Sequence, residues 1–399
     1  MDKFGKKTIK GVVKKMKIIL CITGSIAAVE DLKLVHALQK KGFDVQCFMT
    51  PDACELITPL SMEFATKHPV ITKITGYVEH VTNAKADLIL VAPSTANTIS
   101  KFANKIADTP VTTMLLTASG YKTPILFVPS MHISMYKAVE DKIEQIKTEQ
   151  PHAQFLEPVN KENKAKFPAI DDVVLESEKM VSENKLKDMN VIVSAGATFE
   201  PIDAMRGITN RSSGKMGLEL AKEAYRQGAN VTIVCGQMSV DVPQQIKKID
   251  VETTSQMMHV IKNMIAESDI YISAAAISDF EVDQYNEGKI SSNEDVTIKF
   301  RKLPKILKEI KQIKPSIYVV GFKAEAGLSE DELIKRAKDR MEKYQTDIMI
   351  ANDLLVEGGG AGSDDNEVYI IDENETTKLT LDSKENISKK IIEKIYKTI

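Results

Sequence analysis

The sequence predicts an α/β chain built as two parallel-sheet domains, and three observations carry that prediction. Short apolar, β-branched runs alternate with helix-length segments through both halves, the pattern of βαβ units with helices on both faces of a sheet. The runs end in small and hydroxyl-bearing residues, at the strand ends where such sheets bind ligands. A long polar loop at 196–217 then interrupts the alternation near mid-chain.

At 399 residues the chain has room for two or three domains. Its 53 basic and 56 acidic residues nearly balance, which argues against a nucleic-acid binder with a globally basic surface. No apolar run approaches the ~18 residues of a membrane span. Seven lysines crowd the first 17 residues without an apolar core of signal-peptide length, so that end reads as a solvated basic tail. Cys21, Cys47, Cys54 and Cys235 show no CxxC spacing. They read as buried thiols of a reducing, cytoplasmic compartment rather than zinc ligands or disulfides.

Residues 16–23 form the first buried strand, ending at Gly24-Ser25. The next helix carries Leu32, Leu34, Val35 and Leu38 and stops near Gly42; strands follow at 43–49, 88–92 and 125–128. Their carboxyl ends read Thr23-Gly24-Ser25, Met49-Thr50-Pro51, Pro93-Ser94-Thr95-Ala96-Asn97 and Pro129-Ser130-Met131-His132, the lining of a phosphate-bearing cofactor site. A nicotinamide site wants GxGxxG and an acidic residue about 20 positions on. Only Gly24 is present, and the second strand ends at Thr50, so a mononucleotide such as FMN fits better. From 150 to 189 the pattern loosens into a charged segment with three prolines, read as a flap over that site, a linker, or both, closed by a helix over 173–187.

Strand-like runs resume at 191–195, 231–235, 270–276, 317–321, 348–351 and 368–371. The first feeds the polar loop and the loop feeds a helix carrying Leu218, Leu220, Ala221 and Ala224. Glycines let backbone N–H groups approach a ligand, a helix N-terminus favours negative charge, and Arg206 and Arg211 supply planar donors. The loop reads as an anion holder; the plainer alternative is a Gly-rich connection. The third strand runs into Ala274-Ala275-Ala276-Ile277-Ser278-Asp279, small residues and then a carboxylate beside a cleft. Lys335, Arg336, Lys338, Arg340 and Lys343 share one helical segment, either a solvated face or a triphosphate clamp.

These residues are recognisable. GSIAA (24–28), TPDACELITP (50–59), His80 and APSTANTISKFANKIADT (92–109) stand in the first half. SAGATFEPIDAMRGITNRSSGKMG (194–217), SAAAISDF (273–280), GKI (288–290), VGFKAE (320–325) and IAND (350–353) follow in order in the second. From about residue 16 onward the chain resembles the bifunctional phosphopantothenoylcysteine decarboxylase / phosphopantothenate–cysteine ligase family of coenzyme A biosynthesis. The resemblance implies two Rossmann-like domains: a flavodoxin-like flavoprotein domain at 1–187 and a ligase domain at 188–399. The first would be an FMN-dependent decarboxylase that oxidises the cysteine moiety, loses CO₂ and returns the enethiol to 4′-phosphopantetheine. Gly24, Ser25, Ile26, Thr50, Ser94, Thr95 and Asn97 would hold FMN, and His80 matches the family's catalytic histidine, a proton-transfer group. The second would ligate 4′-phosphopantothenate to L-cysteine, with CTP activating the carboxylate as an acyl-cytidylate and Mg²⁺ bridging the phosphates.

By the same resemblance Asn210, with Arg206 and Ala275, holds the acyl-cytidylate. Ser212, Ser213, Gly214 and Gly217 match a phosphate-binding turn. Asp279, Lys289, Phe322 and Lys338 match the nucleotide site, Lys289 also as a catalytic group. Several departures bear on this. His132 stands where the family has the Asn of PxMN, and is expected to take over its contact with the substrate carboxylate. The flap, 155–175, has no cysteine acid, so His132, Lys161, Lys164 or Lys166 is expected to supply that proton. The family's KIKK reads Lys289-Ile290-Ser291-Ser292 and its Pro-Asp reads Pro304-Lys305, which loosens the case for CTP. Two alternatives are a ligase with a silent FMN-binding half and a regulatory flavoprotein of the phosphatase-inhibitor type. The family also implies a homo-oligomer, trimers of the flavin domain joined by ligase dimers into a dodecamer.

Overall fold

The computed structural model describes residues 15–161, 164–291 and 295–399. The basic tail up to residue 14 and Ser292 lie outside the described residues, as do the side chains of Lys161 and Lys164. The chain divides into two units, 1–181 and 182–399.

In the first unit β1 (Lys17–Ile22), β2 (Asp44–Met49), β3 (Leu88–Ser94), β4 (Ile125–Pro129) and, past a two-residue β5 (Met131–His132), β6 (Ala153–Phe155) build a parallel sheet in the order β2-β1-β3-β4-β6. Successive residues of β1 enter opposite cores. Ile18, Leu20 and Ile22 pack under the helices Asp31–Lys40, Pro59–Thr66 and Ile170–Met180. Ile19 and Cys21 pack under Ala96–Ala103, Pro110–Gly120 and Glu140–Glu149. Period-two burial on both faces is why these strands read as unbroken apolar runs. The order reverses between β1 and β3, the flavodoxin-like arrangement with its ligand crevice at that point.

The segment 150–189 resolves into separate elements. Residues 153–155 are the sheet's edge strand β6 rather than flap, because Phe155 stacks on Phe127 with ring centroids 4.7 Å apart. β7 (Val159–Lys161) and β8 (Lys164–Lys166) form a hairpin, and β8 pairs antiparallel with β5. The helix runs Ile170–Met180 instead of 173–187. Positive φ at Asn184 (51°) and Asp188 (65°) breaks it, and Leu186 N–H donates to Gln227 O at 2.8 Å, tying that stretch to the second unit.

The second unit holds β9 (Asn190–Ala195), β12 (Asn230–Cys235), β13 (Lys247–Asp250), β14 (Ile270–Ser273), β17 (Tyr318–Glu325), β18 (Ile348–Asp353), β19 (Asp365–Ile371) and β20 (Thr376–Ser383), in the order β13-β12-β9-β14-β17-β18-β19-β20. Two short pairs complete it, β10 (Phe199–Pro201) with β11 (Gly207–Thr209), and β15 (Phe280–Val282) with β16 (Phe300–Lys302). The first six strands are parallel in the doubly wound order, reversing between β9 and β14. β19 and β20 are antiparallel, an edge hairpin of which the sequence reading had the first strand (368–371) but not the second. Helices Thr254–Ile265 and Ile306–Ile313 cover one face; Lys215–Arg226 packs against Lys384–Thr398. All four cysteines are free, and burial pushes the Cys21 and Cys47 thiols well up and Cys235 to about 12.

Candidate functional sites

At the β1–β3 reversal the strand ends are cross-tied. Thr23 Oγ1 donates to Pro93 O (2.7 Å) and accepts from Thr95 N–H (3.2 Å); Ser25 Oγ donates to Ser130 O (3.2 Å). Thr50 caps the short helix after β2 by accepting from Ala53 N–H at 3.2 Å. The result is a cavity of about 320 Å³ lined by Gly24, Ser25, Thr50, Thr95 and Asn97. Ser94 lies fully buried behind it, its Oγ without a partner among the described residues, and Ile26 is 73% exposed and outside the lining.

These residues fit the phosphate and ribityl hydroxyls of FMN. Glycine is needed at 24, because a Cβ there would lie 2.5 Å from Asp52 Cβ and fill the cradle. Met131, at a strand end the sequence reading named, lines the cavity too; Asp52, Lys101, Thr112 and Met135 also line it and were given no site role from sequence. For Lys101 a signal existed: it sits one turn beyond Asn97 on the same helix.

His80 does not line this cavity. It sits on the helix Glu79–Asn83, entered through Val78 at φ 49°, and its Nδ1 is buried without a partner among the described residues. His132 is exposed at the head of the helix Ile133–Ala138, where its Nδ1 accepts from Ser134 N–H (3.3 Å) and lies 2.7 Å from Ser134 Oγ. The backbone pairing His132↔Lys164 seats the hairpin directly on it. Behind the hairpin Tyr136 donates to Glu157 Oε2 at 3.0 Å; burial, then the Glu157 charge, push its phenol up.

In the second unit the loops after β9 and β14 meet at the reversal. Ala276 N–H donates to Gly196 O (2.8 Å), and Ala276 O accepts from Thr198 N–H (3.3 Å) and from Asn210 Nδ2 (3.2 Å). Asn210 and Ala275 therefore come together. Ser212, Ser213 and Gly214 turn into the helix Lys215–Arg226: Gly214 N–H donates to Ser212 Oγ (3.3 Å) and Lys215 N–H to Ser213 Oγ (3.5 Å). Gly214 takes φ +76°, which favours glycine. Gly217 lets that helix press on β9.

Arg206 is less free than a substrate donor would be. Its Nε (3.0 Å) and Nη2 (2.8 Å) bind the buried Asp203, and Nη2 also donates to Ile290 O at 2.6 Å. Burial would raise the Asp203 carboxyl; backbone N–H groups of Met205, Ile290 and Arg206 and the guanidinium hold it at about 2. Lys289 is exposed beside that contact. Asp279 pairs with Lys305, whose ammonium pKa is lowered by burial and then by Arg340 and Lys323. Phe322 is half-buried on β17. Lys338 stands apart, lining a groove with Met341, Gln345 and Asp372 that none of Asp279, Lys289 or Phe322 lines.

No group of three or more His, Cys, Asp or Glu side chains among the described residues is placed to hold a metal ion. No helix among them is long and apolar enough to cross a membrane.

Comparison with known proteins covers both units. The Flavoprotein family matches residues 7–182, and the family described as DNA/pantothenate metabolism flavoprotein C-terminal domain matches 186–399. The coenzyme A biosynthesis bifunctional protein CoaBC of Thermococcus kodakarensis is 41% identical over 393 residues, 96% of this chain and 95% of that relative. Its namesake in Methanocaldococcus jannaschii is 39% identical over 399 residues, 98% and 97% of the two chains. Among solved structures, the crystal structure of the C-terminal domain of a CoaBC protein aligns over 54% of this chain and 98% of its own, at 25% identity and a TM-score of 0.46.

Proposed function

Because the chain belongs to the family of coenzyme A biosynthesis bifunctional proteins, a flavoprotein half joined to a pantothenate-metabolism half, we propose that it makes 4′-phosphopantetheine from 4′-phosphopantothenate in two steps. The second unit joins 4′-phosphopantothenate to L-cysteine, using CTP to activate the carboxylate as an acyl-cytidylate. The first unit decarboxylates the phosphopantothenoylcysteine so formed. The observation that supports this most is the crevice between β9 and β14, where Asn210, Ala275 and the serine turn converge on a helix N-terminus.

Asn210 and Ala275 hold the acyl group, Arg206 offers its remaining Nη1, and Ser212, Ser213, Gly214 and Gly217 cradle a phosphate. Asp279, Lys289 and Phe322 take the nucleotide, and Mg²⁺ would supply charge neutralisation at its phosphates. Arg340, whose charge lowers the Lys305 ammonium pKa, is assigned the role expected from sequence for Lys338. In the first unit Gly24, Ser25, Thr50, Ser94, Thr95 and Asn97 hold FMN. FMN supplies, when bound, the two-electron redox chemistry that loss of CO₂ from the cysteine moiety requires. His80 moves the proton, and His132 donates to the substrate carboxylate. An acid among His132, Lys161, Lys164 and Lys166 replaces the flap thiol.

This unit exposes Ile26, Leu60, Phe64 and Tyr77, apolar side chains suited to a contact between copies. Together with the place of His80 outside the cavity, they favour flavin sites completed by a neighbouring subunit, in trimers joined by ligase dimers into a dodecamer. Four free thiols, three of them buried and Cys54 half-exposed, suit a reducing cytoplasm. A second reading, a ligase with a silent flavin half, is favoured by the flap without cysteine.

The test incubates the purified protein with 4′-phosphopantothenate, cysteine, CTP and Mg²⁺, following products by mass spectrometry and released CO₂. Phosphopantetheine with CO₂ supports both halves. Phosphopantothenoylcysteine alone supports the second reading, and neither product rejects both.

A further inference from the structure

The loop bearing Arg206 and the segment bearing Lys289 lie far apart in sequence and meet on one buried carboxylate. Asp203 Oδ1 accepts from Met205 N–H (2.8 Å) and Arg206 N–H (2.7 Å). Its Oδ2 accepts from Arg206 Nε (3.0 Å), Arg206 Nη2 (2.8 Å) and Ile290 N–H (3.1 Å). The side chain is fully buried. Around it the backbone is stitched as well: Asn286 N–H donates to Ile202 O (3.2 Å), and Asp203 and Asn286 form a parallel bridge.

We propose that Asp203 is a positioning residue of the ligase half, which sets the segment carrying Lys289 in register with the loop carrying Arg206. The proposal rests on the ligase reading above and adds a coupling between its two basic groups. Lys289 sits in coil between β15 and β16, exposed, with no helix or strand of its own to hold it. What fixes its backbone is the neighbouring residue: Ile290 N–H is held by Asp203, and Ile290 O by Arg206 Nη2. Arg206 thus acts as a strut, with two of its three nitrogens engaged in joining the segments. A cation that must meet a polyphosphate in one geometry loses effective concentration when its backbone swings.

Asp203→Asn separates the two faces of this carboxylate. The Asn oxygen still accepts from Met205 and Arg206 N–H, while its NH₂ cannot accept from Ile290 or the guanidinium. The nucleotide KM is expected to rise by about tenfold or more, the loss of a charge-assisted contact, with the cysteine KM little changed. In a Lys289→Gln background the same substitution should add no further change in nucleotide KM, because the group it positions is gone. Ile290→Pro, which removes the N–H that Asp203 Oδ2 accepts and also restricts the backbone at 289 and 290, should likewise raise the nucleotide KM with the cysteine KM little changed.

An additive effect in the Lys289→Gln background would overturn the proposal, as would an unchanged nucleotide KM. So would a uniform loss across all three substrates in step with a lowered melting temperature. Wild-type protein that forms no phosphopantothenoylcysteine would instead reject the ligase reading itself.

Discussion

Lys215, the first residue of the helix at the serine turn, places its Nζ 2.7 Å from Asp364 Oδ1 and 2.9 Å from Gly362 O. Lys384, at the head of the last helix and almost wholly buried, donates to Gly360 O at 3.1 Å and to Ser363 O. Two ammonium groups thus pin a loop in which Gly358, Gly360 and Gly362 all take φ between +80° and +92°. The loop lies against the N-terminus assigned to a substrate phosphate.

Asp364→Asn is expected to loosen that loop without unfolding the protein, because Asp364 is 87% exposed and its ion pair is solvent-screened. Hydrogen exchange at 358–364 should quicken while the melting temperature holds. The Lys215 ammonium lowers the Asp364 carboxyl pKa, so the tie is present above the unfolded pKa and is lost as pH falls through the folded one. Protection factors at 358–364 that are insensitive to both substitution and acid would show that the backbone ties from Lys215 and Lys384 hold the loop without Asp364.

Gly217→Ala would put a Cβ 2.6 Å from Ala195 Cβ and 3.1 Å from Ala195 Cα. Pushing the helix off β9 should cost about 1–3 kcal/mol. Ligation should fall further than decarboxylation of supplied phosphopantothenoylcysteine, since the displaced turn belongs to the second unit. Thermal melts and separate assays of the two steps check this.

Asp31 is fully buried, and neither carboxylate oxygen has a partner among the described residues. Burial, and then Glu30, raise its pKa well above the usual carboxylate range. An acid raised on folding is least harmful below its unfolded pKa. As pH climbs from there toward the folded value, stability falls by about 1.4 kcal/mol per unit. Asp31→Ala should therefore raise the melting temperature at neutral pH and flatten its decline above about pH 4. A melting temperature that drops would mean the carboxyl is held by something its neighbours do not show.

His132 accepts from Ser134 N–H at Nδ1, which leaves Nε2 as the nitrogen that can donate to a ligand. His132→Ala should lower decarboxylation kcat/KM by about ten- to a hundredfold, the worth of one hydrogen bond to a charged group, and leave ligation alone. His132→Asn, which restores a donor, should recover part of the loss. Normal decarboxylation by the alanine variant would remove His132 from the site.

Much of this was legible in the chain itself. Apolar runs such as 18–22 and 191–195 became central strands because burial on both faces removes any polar alternation. Gly24 and the hydroxyls at 25, 50 and 95 marked the strand ends that line the cavity of the first unit, and Gly214 and Gly217 marked the helix start after the polar loop. Edge elements were harder to read. β20 buries only Leu379 strongly, so it carries little of the apolar signal that betrays a core strand. Lys338 and Arg340 are both basic and lie two residues apart on one helix, so charge pattern alone does not choose between them.

By itself, then, the sequence determined the two α/β units, their strand-end crevices and the residue types that fill them, since hydrophobic period and turn chemistry are local properties. Only the tertiary structure decided which groups are free to act. Asp203 looks unremarkable in a polar loop; folding buries it and sets Arg206 and Ile290 on its two oxygens. Lys101 enters the cavity of the first unit and His80 stays outside its lining for the same reason. A side chain's partners come from segments tens of residues away, and the direction it points is fixed by packing that no local pattern encodes.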